Sequence, residues 1–382
     1  MLEKIYEQNL DFEQALNLAR KGTLGEICRA ADRVRRKYYD NMITFSSNVF
    51  IPVTNYCRNR CGYCGFRRES GDPCARIMKP DEVKTVLVRG KEAGCTEALF
   101  TFGEKPEEKY SEVKDWLEEG GYSSTVDYLY HLCLMALETG LLPHSNPGIL
   151  ERKEIEKLKQ VNASMGLMLE SSSERLCNAG GPHECSPGKL PKRRIETIKI
   201  AGELKVPFTS GILIGIGETL EERIESIYVL KELHEKHGHV QELIIQNFDP
   251  KTNTPMENVP PPSLKEIMLT AAITRLVFKG ELNIQIPPNL NTQHERELLA
   301  SGMNDWGGIS PITLDEINPN HSWPSKEKLE KITREEGFRL TERLPIYPKY
   351  VQKNYVSKIV APLVHKLADE KGYRKVKVEL VK

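Results

Sequence analysis

The sequence predicts an α/β protein: a (β/α)8, TIM-barrel-like domain with N-terminal helices before it and a C-terminal extension after it. Three observations carry this expectation. From Asn48 onward, short β-branched or apolar runs alternate with amphipathic stretches of about 12–18 residues, as βα units around a parallel sheet do. The alternation repeats seven or eight times. At 382 residues the chain accommodates one barrel-sized domain with extensions.

Taken in order, residues 2–40 read as helical. Phe12, Ala15, Leu16 and Ala19, then Ile27, Ala30, Ala31 and Val34, recur at helical spacing, with Gly22 and Gly25 interrupting. Strands are expected at 48–53, 97–101, 141–144, 163–169, 207–214, 242–246 and 283–286, with an eighth near Asp305. Between them, 79–94 opens on Pro80, Asp81 and Glu82, which suit a first helical turn, and Gly94 ends it. Segments 124–138, 152–160, 192–204, 220–237 and 263–277 repeat the pattern. The Pro-rich stretches 249–262 and 286–288 fall where barrel loops lie. From Trp323 the chain reads as an extension packing a helix or two outside the barrel. The expected organisation is therefore 1–45 helical prelude, 46–320 barrel and 321–382 extension.

Composition narrows the function. Lys plus Arg and Asp plus Glu are equal at 54 each, so no global field draws the chain to nucleic acid or an anionic membrane. The longest apolar run, 211–217, falls far short of the roughly 18 residues of a membrane span. Met-Leu-Glu-Lys is not a signal peptide start. A cytoplasmic protein acting on a small molecule is expected. Nine cysteines, an odd number in a long chain, fit reduced thiols or metal ligands better than a disulfide framework.

Their spacing carries the chemistry. Cys57-Arg-Asn-Arg-Cys61-Gly-Tyr-Cys64 places three thiols directly after the first strand, on the C-terminal face of a barrel where active sites sit. Three soft thiolates call for zinc or an iron–sulfur cluster. A structural zinc site needs a fourth ligand, which Cys74 or a distant His would have to supply; a non-catalytic, zinc-stabilised binding protein is the corresponding alternative. A [4Fe–4S] cluster on three cysteines instead leaves one iron open to a substrate or cofactor.

A CxxxCxxC loop with an aromatic before its last cysteine resembles the cluster loop of the radical S-adenosylmethionine (SAM) enzymes. The resemblance implies that Cys57, Cys61 and Cys64 hold a [4Fe–4S] cluster, that SAM chelates its fourth iron, and that Tyr63 lies near the adenine. Thr101-Phe102-Gly103-Glu104 is similar to that family's Gly-Gly-Glu, with Phe102 in place of the first glycine. Gly103 and Glu104 would then receive the methionine ammonium; alternatively Glu104 is a solvated loop acid. Gly211-Ile-Leu-Ile-Gly215-Ile-Gly217-Glu218 resembles the Gly-x-Ile-x-Gly-x-x-Glu run packed on adenine and ribose, with Leu213 replacing the isoleucine; alone it also reads as a buried strand and its turn. Glu170, Gln246 and Asn247 end strands on the same expected rim, as candidates for the ribose and the substrate. His144 either reaches the cavity or caps a loop. Asn304 and Asp305, in Asn-Asp-Trp-Gly-Gly, are candidate substrate contacts, with an Asx turn as the alternative.

Within that superfamily, residues 51–68, the Phe-Gly-Glu-Lys-Pro-Glu run 102–107 and Asn304–Gly308 resemble the CofG-type subunit of deazaflavin (FO) synthase, over roughly residues 45–320. The resemblance implies ring closure of a 5-amino-5-(4-hydroxybenzyl)-6-(ribitylimino)uracil to 7,8-didemethyl-8-hydroxy-5-deazariboflavin. SAM would leave as methionine and 5′-deoxyadenosine, and ammonium would be released. It also implies a companion subunit and a one-electron donor such as ferredoxin or flavodoxin. The tyrosine-using companion itself, or another single-cluster radical SAM carbon-skeleton enzyme, is the nearest alternative.

Overall fold

The computed structural model describes residues 9–353 and 355–375; the expected helical residues 2–8 and the last seven residues of the expected extension lie outside these. Two helices come first, Phe12–Lys21 and Leu24–Tyr39, broken at Gly22 as its sequence position suggests. Asp11 caps the first, accepting from the Gln14 amide at 2.8 Å. Ala15, Leu16 and Ala19, then Ile27, Ala31 and Val34, turn inward onto the core.

Eight parallel strands form the closed barrel: β1 (Met42–Thr54), β2 (Glu97–Phe102), β3 (Leu142–Asn146), β4 (Ser164–Gly166), β5 (Phe208–Ile214), β6 (Val240–Asn247), β7 (Asn283–Gln285) and β8 (Asp305–Ile309). Each pairs with the next, and β1 closes the ring by pairing with both β2 and β8. Helices Pro80–Glu92, Thr125–Thr139, Arg152–Lys159, Pro191–Glu203, Leu220–His237 and Leu264–Phe278 fill the connections at nearly the expected bounds. A further helix, Ser111–Glu119, was not expected.

Two expectations about the ends need correction. β1 begins at Met42, so a boundary at residue 45 falls inside a barrel strand. Its first half alternates Thr44 and Ser46 with Ile43 and Phe45 and then runs Ser47-Asn48, and that polar stretch hides the strand signal. The extension also does not simply pack outside. A ninth strand, β9 (Arg339–Arg343), pairs in parallel with β1 from Met42 to Ser46. The segment after it crosses the N-terminal end of the barrel: the Pro345 carbonyl accepts from Ser164 Oγ at 2.7 Å and Gln241 Nε2 at 2.9 Å, and Tyr347 Oη donates to Glu242 at 2.9 Å. Leu344, Ile346, Tyr347, Tyr350, Val360 and Val364 form their own apolar cluster with Leu142 and Ala163. Residues 339–353 and 355–368 are the floor of the barrel.

Candidate active site

A cavity of about 390 Å³ runs from the β1 loop down the barrel axis to that floor. Cys57, Cys61 and Cys64 line it, as do Tyr63, Gly103, Glu104, His144, Glu170 and Gln246. Gly215, Glu218, Asn247, Asn304 and Asp305 do not.

The loop carrying the thiols is held by its neighbours. Arg60 N and Gly62 N donate to the carbonyls of Cys185 and Pro182, at 3.0 and 2.7 Å. Glu104 N donates to Cys57 Sγ at 3.2 Å, and Ser186 Oγ to Cys61 Sγ at 3.4 Å. Burial pushes the Cys57 thiol up to about 12, so holding it as a thiolate takes a nearby cation. Cys74 is exposed and off the cavity. Among the described residues no group of three or more Cys, His, Asp or Glu side chains forms a ready-made metal cage. The assignment therefore rests on donor chemistry. Three thiols share one wall of a cavity that, among the described residues, holds no fourth cysteine, a donor set that would suit a three-cysteine [4Fe–4S] cluster.

Gly103 fits where only glycine can: a Cβ would lie 1.8 Å from the Tyr56 carbonyl oxygen. Glu104 is buried, not a solvated loop acid. Its Oε1 accepts from Arg58 Nε and Nη2 at 3.0 and 2.8 Å, and its Oε2 accepts from Ile149 N at 3.2 Å. Burial opposes its charge, but Arg194 and Arg58 outweigh this and hold its carboxyl below the usual range. Glu170, at a left-handed φ of 65°, pairs with Lys189 Nζ at 2.5 Å. The Lys189 ammonium lies 6.0 Å from the centre of the Tyr63 ring, and Tyr63 Oη meets His183 at 3.0 Å. Arg58, Lys189 and Arg194 were missed by sequence reasoning. The visible signal was two arginines inside the thiol loop and a basic run, 189–194, opening a helix.

Glu218 turns away from the cavity to organise the turn after β5. Its carboxylate accepts from Gly215 N and Ile216 N, each at 2.9 Å, and from Arg223 Nη2 at 2.7 Å. Of that glycine-rich run, Leu213 lines the cavity. Asn247 accepts from Asn291 Nδ2 at 2.8 Å, behind the wall. Asn304 and Asp305 open β8 and so lie at the floor, not the mouth. Asn304 Oδ1 accepts from Arg275 Nη2 at 2.6 Å and Ile284 N at 2.9 Å. The wholly buried Asp305 takes Arg343 Nε at 2.6 Å and Nη2 at 2.9 Å, together with the Thr44 hydroxyl. His144 reaches the cavity, with Nδ1 2.6 Å from Ser164 Oγ; burial lowers it to about 4, so it is neutral near pH 7.

A profile of the Radical SAM superfamily matches residues 51–230. The chain is 51% identical over 333 residues to the 7,8-didemethyl-8-hydroxy-5-deazariboflavin synthase of Methanopyrus kandleri, covering 87% of this chain and 99% of that one. It is 52% identical to the enzyme of that name from Methanosarcina barkeri, with the same coverage. Among solved structures, the FeFe-hydrogenase maturase HydG from Carboxydothermus hydrogenoformans superposes with a TM-score of 0.75 at 19% identity, over 97% of this chain and 86% of that one, a likeness of fold alone. With its cysteine triplet at the mouth of a closed parallel barrel, the chain belongs to the 7,8-didemethyl-8-hydroxy-5-deazariboflavin synthase family of the radical SAM superfamily.

Proposed function

We propose that this chain carries out the ring-closing half of deazaflavin synthesis, converting the hydroxybenzyl-ribityliminouracil adduct to 7,8-didemethyl-8-hydroxy-5-deazariboflavin with release of ammonium, methionine and 5′-deoxyadenosine. The observation that carries this reading is the continuity of the cavity: the thiol wall and the polar barrel interior share one space. Cys57, Cys61 and Cys64 would hold the cluster. When bound, the cluster and SAM supply a carbon radical able to take a hydrogen that no side-chain base can remove at neutral pH.

The chain's own groups bind and shield. Tyr63 offers a ring face for the adenine. Gly103 leaves its backbone open for the methionine ammonium, and Glu104 brings negative charge to the same wall while anchored by Arg58. Lys189 and Arg194, paired to Glu170, are placed to receive a carboxylate. Gln246 lies on the cavity wall toward the ribose or substrate. The closed floor excludes water from the reacting centre. His144, neutral and buried, donates from Nδ1 to Ser164 Oγ, whose own hydrogen goes to the Pro345 carbonyl, so its Nε2 is left as an acceptor suited to take up a proton. A one-electron donor such as ferredoxin or flavodoxin would reduce the cluster, and a companion subunit would supply the adduct.

The test is direct. Reconstituted protein given SAM, reductant and the preformed adduct should yield fluorescent deazaflavin and ammonium without tyrosine. Consumption of tyrosine with ribitylaminouracil, leaving the adduct untouched, would reverse the assignment to the companion subunit.

A further inference from the structure

The lower barrel contains polar groups that the reading above does not use. Asn48, on β1, is wholly buried and lines the cavity, yet neither Oδ1 nor Nδ2 has a hydrogen-bond partner. A buried amide left unpaired costs about 1–3 kcal/mol, so its persistence at the cavity wall calls for an occupant that pairs with it. Its register partner across the β1–β2 ladder is Glu97, which also lines the cavity. Among the described residues the Glu97 side chain takes a hydrogen bond from the Ser46 hydroxyl alone.

The amide is not a lone feature. Three carboxamides on the cavity wall each lie over a glycine of the neighbouring strand. A Cβ on Gly308 would fall 2.0 Å from Asn48 Nδ2, one on Gly166 2.1 Å from Asn146 Oδ1, and one on Gly307 2.1 Å from Gln285 Nε2. The β7–β8 and β8–β1 pairs, side by side, and the β3–β4 pair across the barrel thus each make room for one amide. Carboxamides offer a donor and an acceptor each; Glu97, level with Asn48, and Glu242, two residues below the register partner of Gln285, add carboxyl oxygens. Arg343, the cation lining the cavity at the floor among the described residues, is already committed to Glu242 and Asp305.

This geometry points to a subsite for an uncharged polyhydroxylated chain in the lower barrel, with Asn48 and Glu97 as its specificity-determining contacts. The inference rests on the proposed ring-closing reaction, whose substrate and product carry a ribityl chain, and it fixes the pose: polyol toward the floor, ring system toward the thiols. A hydroxyl donates to a carboxylate and exchanges both roles with an amide, so a chain of them can address groups spread around the barrel. A phosphate would meet two buried carboxyl groups there and, among the described residues of the floor, only an arginine already paired with acids.

Equilibrium dialysis of the reconstituted holoprotein tests this with three probes: the deazaflavin product, its 10-methyl analogue lacking the polyol, and its ribityl 5′-phosphate. The native protein should bind the product at least tenfold more tightly than either other probe. Asn48→Leu should erase most of that preference while leaving the 10-methyl affinity, iron content and SAM binding in place. Gly308→Ala, which displaces the amide without removing it, should act in the same direction. Equal binding of product and 10-methyl analogue by the native protein would overturn the subsite with no variant needed, as would phosphate bound as tightly as product. If the native protein bound none of the three, the ring-closing reading itself would fall, and the subsite with it.

Discussion

The two ends of this barrel are built on opposite plans. At the mouth, the chemistry is local in sequence: three thiols within eight residues, with Arg58 between the first two reaching Glu104 after the next strand. At the floor, it is assembled from distant points: Thr44 on β1, Glu242 on β6, Asp305 on β8 and Arg343 on β9 converge on one buried network. A site that must grip a preformed group can be encoded as a motif. A floor that closes a cylinder has to tie strands together, and so it is spread along the chain.

The largest expected effect separates the two ends by what is lost. Single replacement of Cys57, Cys61 or Cys64 by Ala should abolish cluster iron and SAM cleavage while the fold survives, since the loop is also held by backbone bonds. Cys133→Ala, deep behind β3, should leave both intact. Cluster iron surviving in any of the first three variants would remove the triplet from its assigned role. The floor should fail the other way. Arg343→Met strips the guanidinium from Asp305 and Glu242, both almost fully buried, and should cost about 3–5 kcal/mol in urea unfolding. Adding Asp305→Asn should recover part of that loss; a further loss of similar size would mean the network is held by something other than charge pairing.

What sequence could show follows the same division. The thiol loop and the βα alternation are short-range patterns, and the structure places them as expected. Asn304 and Asp305 are candidate substrate contacts by sequence because they join an amide and a carboxylate to two glycines near the eighth strand; the Asx turn that is the alternative is present, Gly307 N donating to Asp305 Oδ1 at 2.5 Å. This barrel is polar inside down to its floor, so polarity alone does not tell one end from the other. Glu218 lies off the cavity for a different reason. A carboxylate three residues after Gly215 suits a ligand contact, but it equally suits folding back onto the N–H groups of Gly215 and Ile216, which is what it does. β9 and Arg343 gave no local signal, because their strand pairing is with residues about 300 positions earlier.

A smaller effect sharpens the mouth. Glu104→Gln should retain iron but weaken SAM binding by about 1.5–3 kcal/mol if the carboxylate makes one charged hydrogen bond to it. Glu218→Gln, behind the wall, should leave SAM affinity nearly unchanged and instead lower stability through Arg223 and the turn. Equal losses of SAM affinity in the two variants would return Glu218 to the binding site.

The smallest effect sets the two ends against each other in sign. Glu104 is held below the usual carboxylate range by Arg194 and Arg58, so its contribution is present above the unfolded-state value and is lost as pH falls through the lowered folded value. Glu242 is raised to about 7, burial outweighing Arg343. Its folded form prefers the proton, so its contribution is complete below the unfolded value and declines as pH rises toward 7. One group exchanging one proton changes stability by at most about 1.4 kcal/mol per pH unit. Urea unfolding across about pH 2.5–8 should therefore show Glu242→Gln removing a downward slope between about 4.5 and 7, while Glu104→Gln leaves that interval alone and flattens the acid limb below it. If Glu242→Gln flattened the acid limb instead, the floor carboxylate would be stabilised as an anion by Arg343. The mouth and the floor would then hold their buried acids in the same way.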